Sequence, residues 1–261
     1  MSTENQPSVT SQEQFGKQAS FYSQSSVHRG GESLNVVSEY ASGDKYRLAI
    51  DIATGTGFTA FEISKFSEYV VATDITPAML WEAINICETR RITNVGFSLS
   101  AAELLPFRTE SVDLITCRTA PHHFKDLPKA VMEWRRTLEK GGTLIMVDTT
   151  APEEKGAADW MNDVELRRDP SHIKNLSPSQ WVSILENEGF HIQETSLCSV
   201  PLEFEDWVIR SGTPLHQVNR LRDDFSSAPQ EIIDAFNIHR NEEGLLLFRW
   251  LAFVVKAVRP N

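Results

Sequence analysis

The segment Asp51-Ile-Ala-Thr-Gly55-Thr-Gly57-Phe-Thr-Ala60 holds the densest chemical signal in the chain. Glycines at 55 and 57 let the backbone turn tightly and approach a ligand, and a helix that follows them offers free N–H groups. Taken alone, Gly55-x-Gly57-x-x-Ala60 satisfies a nicotinamide-dinucleotide fingerprint, with Asp74 near the spacing of its ribose carboxylate. Asp51 weighs against a dinucleotide, because a carboxylate just before the glycines repels a pyrophosphate.

The same acid suits a ligand whose tail carries an ammonium, such as the methionine part of S-adenosylmethionine, and Asp74 can then accept from both ribose hydroxyls. A second polar cluster, Arg167-Arg168-Asp169-Pro170-Ser171-His172, lies between Trp160 and Trp181. It offers Arg168 to an acidic substrate and His172 as a hydrogen-bonding group or base. The alternative is a basic helix C-terminus followed by a turn.

These residues need a scaffold that brings strand tips together. From Arg47 to Asp148 short apolar runs alternate with helix-period stretches, the pattern of βαβ units in a parallel sheet. Strands are expected at Leu48–Ile52, Tyr69–Thr73, Val95–Leu99, Val112–Cys117 and Thr143–Val147. Thr76-Pro77 opens a helix towards Arg90. Leu127, Val131, Trp134 and Leu138 form one helix face, with Gly141-Gly142 as its αL cap.

Further on, a helix breaks at Asp169-Pro170, and Ser177-Pro178 starts another that ends near Gly189. A sixth strand is expected at His191–Val200, a helix-rich stretch from Phe204 to about His239, and a last strand over Leu245–Val258. Trp207, Leu215, Val218, Leu221 and Phe225 have the spacing of a core stripe. Loops leaving strands five and six start from the carboxyl edge where open α/β sheets bind ligands, so 151–176 and 204–240 are lid insertions by expectation. Asp148 ends strand five on that edge, as a substrate contact or a loop cap.

The whole-chain properties narrow the partners. In 261 residues there are 25 basic and 36 acidic side chains, and the net charge of −11 disfavours nucleic acid and anionic membranes. No apolar stretch is long enough to span a membrane and no signal peptide is evident, so a cytoplasmic location is expected. Cys87, Cys117 and Cys198 read as reduced core thiols, with no metal-ligand spacing. Residues 1–12 have the composition of a disordered tail, leaving 13–261 as a single domain.

Several motifs together resemble the class I S-adenosylmethionine-dependent methyltransferases, and within them the ubiquinone and menaquinone biosynthesis group: D-I-A-T-G-T-G (51–57), A-T-D-I-T-P-A-M-L (72–80), A-E-L-L-P-F (102–107), S-V-D-L-I-T-C-R (111–118), H-H-F (122–124) and E-K-G-G-T-L (139–144). The resemblance implies a Rossmann-like, doubly wound seven-stranded sheet whose last strand is antiparallel, with helical lid insertions. It implies S-adenosylmethionine as cofactor, a small, partly apolar methyl acceptor modified at carbon or oxygen, and no nucleic acid or membrane partner; a homodimer is compatible with it. A related fold that keeps the cofactor for another reaction is the alternative, beside an NAD-dependent oxidoreductase.

Carried over residue by residue, Asp51, Thr54, Gly55 and Gly57 correspond to the methionine site and Asp74 to the ribose carboxylate. Ile75 and Met79 flank the adenine, while Ala102 and Glu103 lie where main-chain N–H groups read it. The family often has an acid where this chain has Ala101, which removes one acceptor for the adenine amino group. Residues 13–45 resemble an N-terminal flap, with Tyr22 and His28 against the cofactor. At the tip of strand four, after Arg118, the match singles out His123, either as a base near neutrality or as a group that fixes the loop.

Overall fold

Ala49 and Ile50 are adjacent in the strand Tyr46–Ile52 (β1), point to opposite faces and are both fully buried, so this sheet is covered on both sides. The computed structural model describes residues 10–16 and 30–261. In chain order its elements are helix Glu32–Ser42 (α1), β1, helix Phe58–Ile63 (α2), strand Ser67–Asp74 (β2), helix Pro77–Thr89 (α3), and strands Val95–Leu99 (β3) and Val112–Arg118 (β4). Helix Leu127–Thr137 (α4), strand Leu138–Thr150 (β5), helices Lys155–Arg168 (α5) and Pro178–Asn187 (α6), and strand His191–Glu203 (β6) follow. The chain ends with helices Phe204–Arg210 (α7), Leu215–Ser226 (α8) and Gln230–Phe236 (α9), the short strand His239–Arg240 (β7) and strand Leu246–Val258 (β8).

The sheet order is β3-β2-β1-β4-β5-β8-β6, with β7 paired to β8. Neighbours from β3 through β5 are parallel, and β8 runs antiparallel to both β5 and β6. This is the expected doubly wound, Rossmann-like α/β sheet with an antiparallel last strand. Strand order reverses between β1 and β4, so a crevice opens at their carboxyl ends.

Local chemistry explains the boundaries. Asp126 caps α4 by accepting from the Lys129 N–H at 3.0 Å. Ser177 and Gln180 form a reciprocal capping box at α6. At α3 Pro77 stands just inside the helix, but Thr76 makes no side-chain cap. The Gly141-Gly142 pair does not end α4. That helix stops at Thr137, and Leu138 turns extended to pair with Val112. Gly141, at φ 78°, instead lies in an irregularity of β5 between the Leu138 and Thr143 pairings.

One core face joins Ile50, Ile115 and Leu144 of the sheet to Trp134 of α4 and Trp181 of α6; the other joins Leu114 and Ile145 to α1 and α2. A third cluster lies among α5, α7, α8, α9 and the start of β8, with Trp207, Phe225, Phe248 and Trp250 in contact. Trp207, Val218, Leu221 and Phe225 are core as the stripe predicts, but Leu215, at the start of α8, is 75% exposed. All three cysteines are free and buried. Among the described residues no helix is long and apolar enough to cross a membrane.

The composition-based expectation of a disordered tail through Gln12 fails at its end. Thr10 and Glu13 exchange hydrogen bonds, Oγ1 of Thr10 accepting from the Glu13 N–H at 3.2 Å and Oε2 of Glu13 accepting from the Thr10 N–H at 3.0 Å. This capping box starts a helical turn over 11–16.

Candidate functional site

Three main-chain bonds fix the strand tips at the crevice: Thr54 N–H to Thr73 O at 2.8 Å, Ser100 N–H to Asp74 O at 3.0 Å, and Thr119 N–H to Val147 O at 2.8 Å. Ala53 and Thr119, just beyond β1 and β4, hold φ values of 51° and 56° without being glycine. Each such residue costs about 1–3 kcal/mol and is found where the surrounding structure over-determines it. Sequence patterns gave no sign of either.

Between these tips lies a cavity of about 330 Å³, within the range of roughly 300–1,000 Å³ usual for small-molecule sites. Its wall includes Thr54, Gly55, Asp74, Ile75, Met79, Ala102, Glu103, Arg118 and His123. The structure thus brings together nine of the residues singled out from sequence. Tyr22 and His28 lie outside the described residues.

Asp74 has both carboxylate oxygens oriented by main-chain donors at 2.8 Å, Oδ2 by the Gly55 N–H and Oδ1 by the Thr76 N–H. Burial raises its pKa, opposed by those two hydrogen bonds. Each oxygen keeps further lone-pair capacity for a vicinal diol. Gly55 has φ 54° and open space where a Cβ would stand, so the loop exposes bare backbone to the cavity. Gly57 works differently. At φ 90° it caps α2, and an added Cβ would meet the Phe61 ring at 2.5 Å.

Asp51 is not among the lining residues and is only 1% exposed. Its Oδ2 accepts from the Thr54 hydroxyl at 2.5 Å and its Oδ1 from the Thr116 hydroxyl at 2.6 Å. Burial pushes its pKa up to about 6 against those bonds and the charge of Arg118. Asp51, expected to approach a ligand ammonium, thus stands behind Thr54, which does line the cavity. Arg118 donates from Nε to Thr59 Oγ1 at 2.8 Å. At the far end Ala101 offers no side-chain acceptor, while Ser100, also on the wall, has a buried hydroxyl without a partner.

The other wall carries Phe15, Ala120, His123, Phe124 and Lys125. Phe15, from the turn opened by Thr10, stands edge-on to His123 with centroids 4.9 Å apart. Gln14 ties this turn to the region after α7 by donating to Ser211 O at 2.7 Å. His123 Nδ1 lies 3.1 Å from both the carbonyl and the hydroxyl oxygen of Ser171. Burial, then the charge of His122, push its pKa down to about 3 rather than leaving it near neutrality.

Beside it His122 Nδ1 is 2.6 Å from Asp148 Oδ1. Burial lowers the His122 pKa, but Asp148 outweighs it and the net shift is upward. Sequence reasoning left His122 unassigned, because only the fold brings the ends of β4 and β5 side by side.

The 167–172 cluster does not face the cavity. Arg168 donates to Trp207 O at 3.0 Å, pairs with Glu165 and lies over the Trp207 ring. His172 is 2% exposed, with Nε2 3.0 Å from Asn162 Oδ1. Burial, then His122 and His123, hold its pKa well below the usual range. Neither reaches the substrate-facing position expected of it, because α5 packs its C-terminal turn inward. Among the described residues no group of three or more His, Cys, Asp or Glu side chains could hold a metal ion.

Comparison with known proteins agrees with this geometry. A family model described as a methyltransferase domain matches residues 50–146. Over 250 residues the chain is 31% identical to the methyltransferase YcgJ of Bacillus subtilis (strain 168), spanning 96% of this chain and 97% of that protein. The crystal structure of YcgJ matches with a TM-score of 0.82 at 30% identity, over 88% of this chain and 98% of that one. BH2331 of Bacillus halodurans C-125 matches with a TM-score of 0.83 at 32% identity, over 87% and 99%. A demethylmenaquinone methyltransferase of Chlorobaculum parvum is 28% identical over 111 residues, 42% of this chain and 44% of that protein.

Proposed function

This chain belongs to the S-adenosylmethionine-dependent methyltransferases, and from that premise we propose that it methylates carbon or oxygen of a small, partly apolar molecule. Membership sets aside the nicotinamide dinucleotide that the glycine pattern alone allowed. Bound S-adenosylmethionine supplies an electrophilic methyl group on a sulfonium. Asp74 accepts from the two ribose hydroxyls. The backbone at Gly55, with Thr54 and Arg118, holds the methionine end, and Asp51 keeps Thr54 in place from behind. Ile75 and Met79 flank the adenine, and the main chain near Ala102 reads its edge.

One observation carries the reading: a single cavity is walled by Gly55 and Asp74 on one side and by Phe15, His123 and Phe124 on the other. A methyl donor on the first wall and an acceptor against the second share that space, and alignment of donor and acceptor is itself a large part of such catalysis. The aromatic walls support a partly apolar acceptor. None of the residues of 151–176 and 204–240, the segments expected as lids, lines the cavity; Ser171 supports its acceptor side from behind through His123.

Calorimetry with S-adenosylmethionine tests the donor site, and absence of binding up to millimolar concentration would remove it. Methyl-labelled cofactor incubated with a metabolite extract tests transfer. Substitution His123→Ala should lower turnover roughly 100-fold; unchanged turnover would reduce this residue to a loop fixer. Ala101, where related chains often carry an acid, favours one second reading, a cofactor retained for another reaction. Cofactor binding without label transfer would support it.

A further inference from the structure

The Ser171 hydroxyl cannot donate to His123. It donates to Asp169 Oδ1 at 2.7 Å, and the Ser171 N–H donates to the same oxygen at 2.9 Å. The Ser171 carbonyl is an acceptor by nature. Both Ser171 oxygens at 3.1 Å from Nδ1 are therefore acceptors, and Nδ1 carries the ring proton. Nε2 is left as a bare lone pair, with no hydrogen-bond partner among the described residues, on a ring that lines the cavity.

We propose that Asp169 and Ser171 are positioning residues that lock His123 as its Nδ1–H tautomer, so that Nε2 accepts a hydrogen bond from a hydroxyl at the nucleophilic end of the methyl acceptor. The proposal rests on the methyltransferase reading and deepens it. An acceptor already ionised at that atom has no proton to offer Nε2, so neutral, proton-bearing molecules are selected over carboxylates.

The surroundings hold the arrangement. Asp169 is 2% exposed and Ser171 is 1% exposed, so water does not compete for their hydrogen bonds. Burial would raise the Asp169 carboxyl, but the charge of Arg168 and the Ser171 hydrogen bonds act the other way, and the net shift is downward. Charged and titratable neighbours of His123 are His122 with Asp148, Asp169, Arg168 and His172. When an acceptor hydroxyl forms its new O–CH3 bond and the sulfonium's C–S bond breaks to a thioether, the oxygen carries both a methyl group and its proton. That species is a far stronger acid than an imidazolium, so the proton passes to Nε2 although the imidazole is a weak base.

The test is a long-range proton–nitrogen NMR spectrum of protein labelled with 15N-histidine at pH 7, with the His123 signals identified by their loss in His123→Gln. Expected are a protonated Nδ1 and a bare Nε2. Asp169→Asn keeps an acceptor for Ser171 and should preserve the pattern. In Asp169→Ala the Ser171 hydroxyl is released to donate to Nδ1, and the signals should move towards the Nε2–H tautomer.

Calorimetry should give cofactor affinity within twofold of wild type for both Asp169 variants, excluding misfolding as the cause. An imidazolium or Nε2–H form in the wild type overturns the tautomer assignment, and an Asp169→Ala spectrum unchanged from wild type overturns the positioning role of Asp169, because the Ser171 carbonyl then holds Nδ1–H by itself. Labelled products derived only from carboxylates would overturn the acceptor class while leaving the methyltransferase reading intact. Failure of cofactor binding would instead remove that reading and leave the tautomer result standing.

Discussion

Asp74, on one wall of the cavity, is oriented by N–H groups 19 and 2 residues away in sequence, whereas His123, on the other, is oriented by Ser171, 48 residues away. The first wall is made of strand tips and main-chain donors, so its chemistry is set by backbone geometry close to the motif. The second is made of side chains from the segment after β4 and from the 10–16 turn; the loop after α5 holds His123 from behind through Ser171, and the aromatic cluster of α5 and α7 to α9 stands behind that loop. A site of the first kind suits one constant ligand. A site of the second kind can change its ligand by changing side chains, without disturbing the sheet.

If the two walls are separable, the largest expected effect lies behind the second wall and leaves the first untouched. Trp207→Ala opens a cavity among Phe204, Phe225, Phe248 and Trp250, and should cost about 3–5 kcal/mol in urea unfolding. Its cofactor affinity at 20 °C, measured on the folded fraction, should match the wild type; a tenfold loss would join the two walls energetically. Asp74→Ala attacks the first wall. It removes charged acceptors and leaves two N–H groups unpaired, so cofactor binding should weaken by about 3 kcal/mol, roughly 100-fold.

Asp51→Asn separates support from contact on the first wall. The folded carboxyl has a pKa of about 6 against 3.8 for the ordinary group. Folding therefore favours the protonated form, and that stabilisation is complete below about pH 4 and lost as pH rises through 6. Unfolding curves at pH 4 and pH 7.5 should show the variant gaining on wild type by about 2.4 kcal/mol across that window, at 1.36 kcal/mol per pKa unit. A constant difference would mean that Asp51 is ionised as easily as in the unfolded chain. The smallest effect is Gly55→Ala. Space is open there, so only the positive φ is penalised, at about 1 kcal/mol of stability, and cofactor affinity should fall more than stability if the bare backbone meets the ligand.

Legibility in the sequence follows the same division. The β1 and β2 tips could be read because strand, glycine turn and acid are consecutive and each has a local physical signature. The doubly wound parallel strands followed from alternation, and the antiparallel last strand from the family resemblance. The stripe from Trp207 to Phe225 was read correctly as core, but Leu215 was included because helical spacing does not reveal where a helix passes its last neighbour. Gly141-Gly142 was assigned to a helix end because two glycines after an apolar face fit that role. Pairing of Leu138 with Val112 decided otherwise. The Thr10-x-x-Glu13 capping box went unread inside a segment of polar composition.

The sequence by itself determined the family, the parallel sheet and the wall of the cavity built from Gly55 and Asp74, because those depend on short-range turn chemistry and periodicity. Only the tertiary structure decided that Asp51 stands behind Thr54, that His122 meets Asp148, and that Arg168 and His172 turn inward. It also decided which nitrogen of His123 carries the proton. That depends on the direction of one hydroxyl, and the direction is fixed by the buried carboxylate that accepts from it.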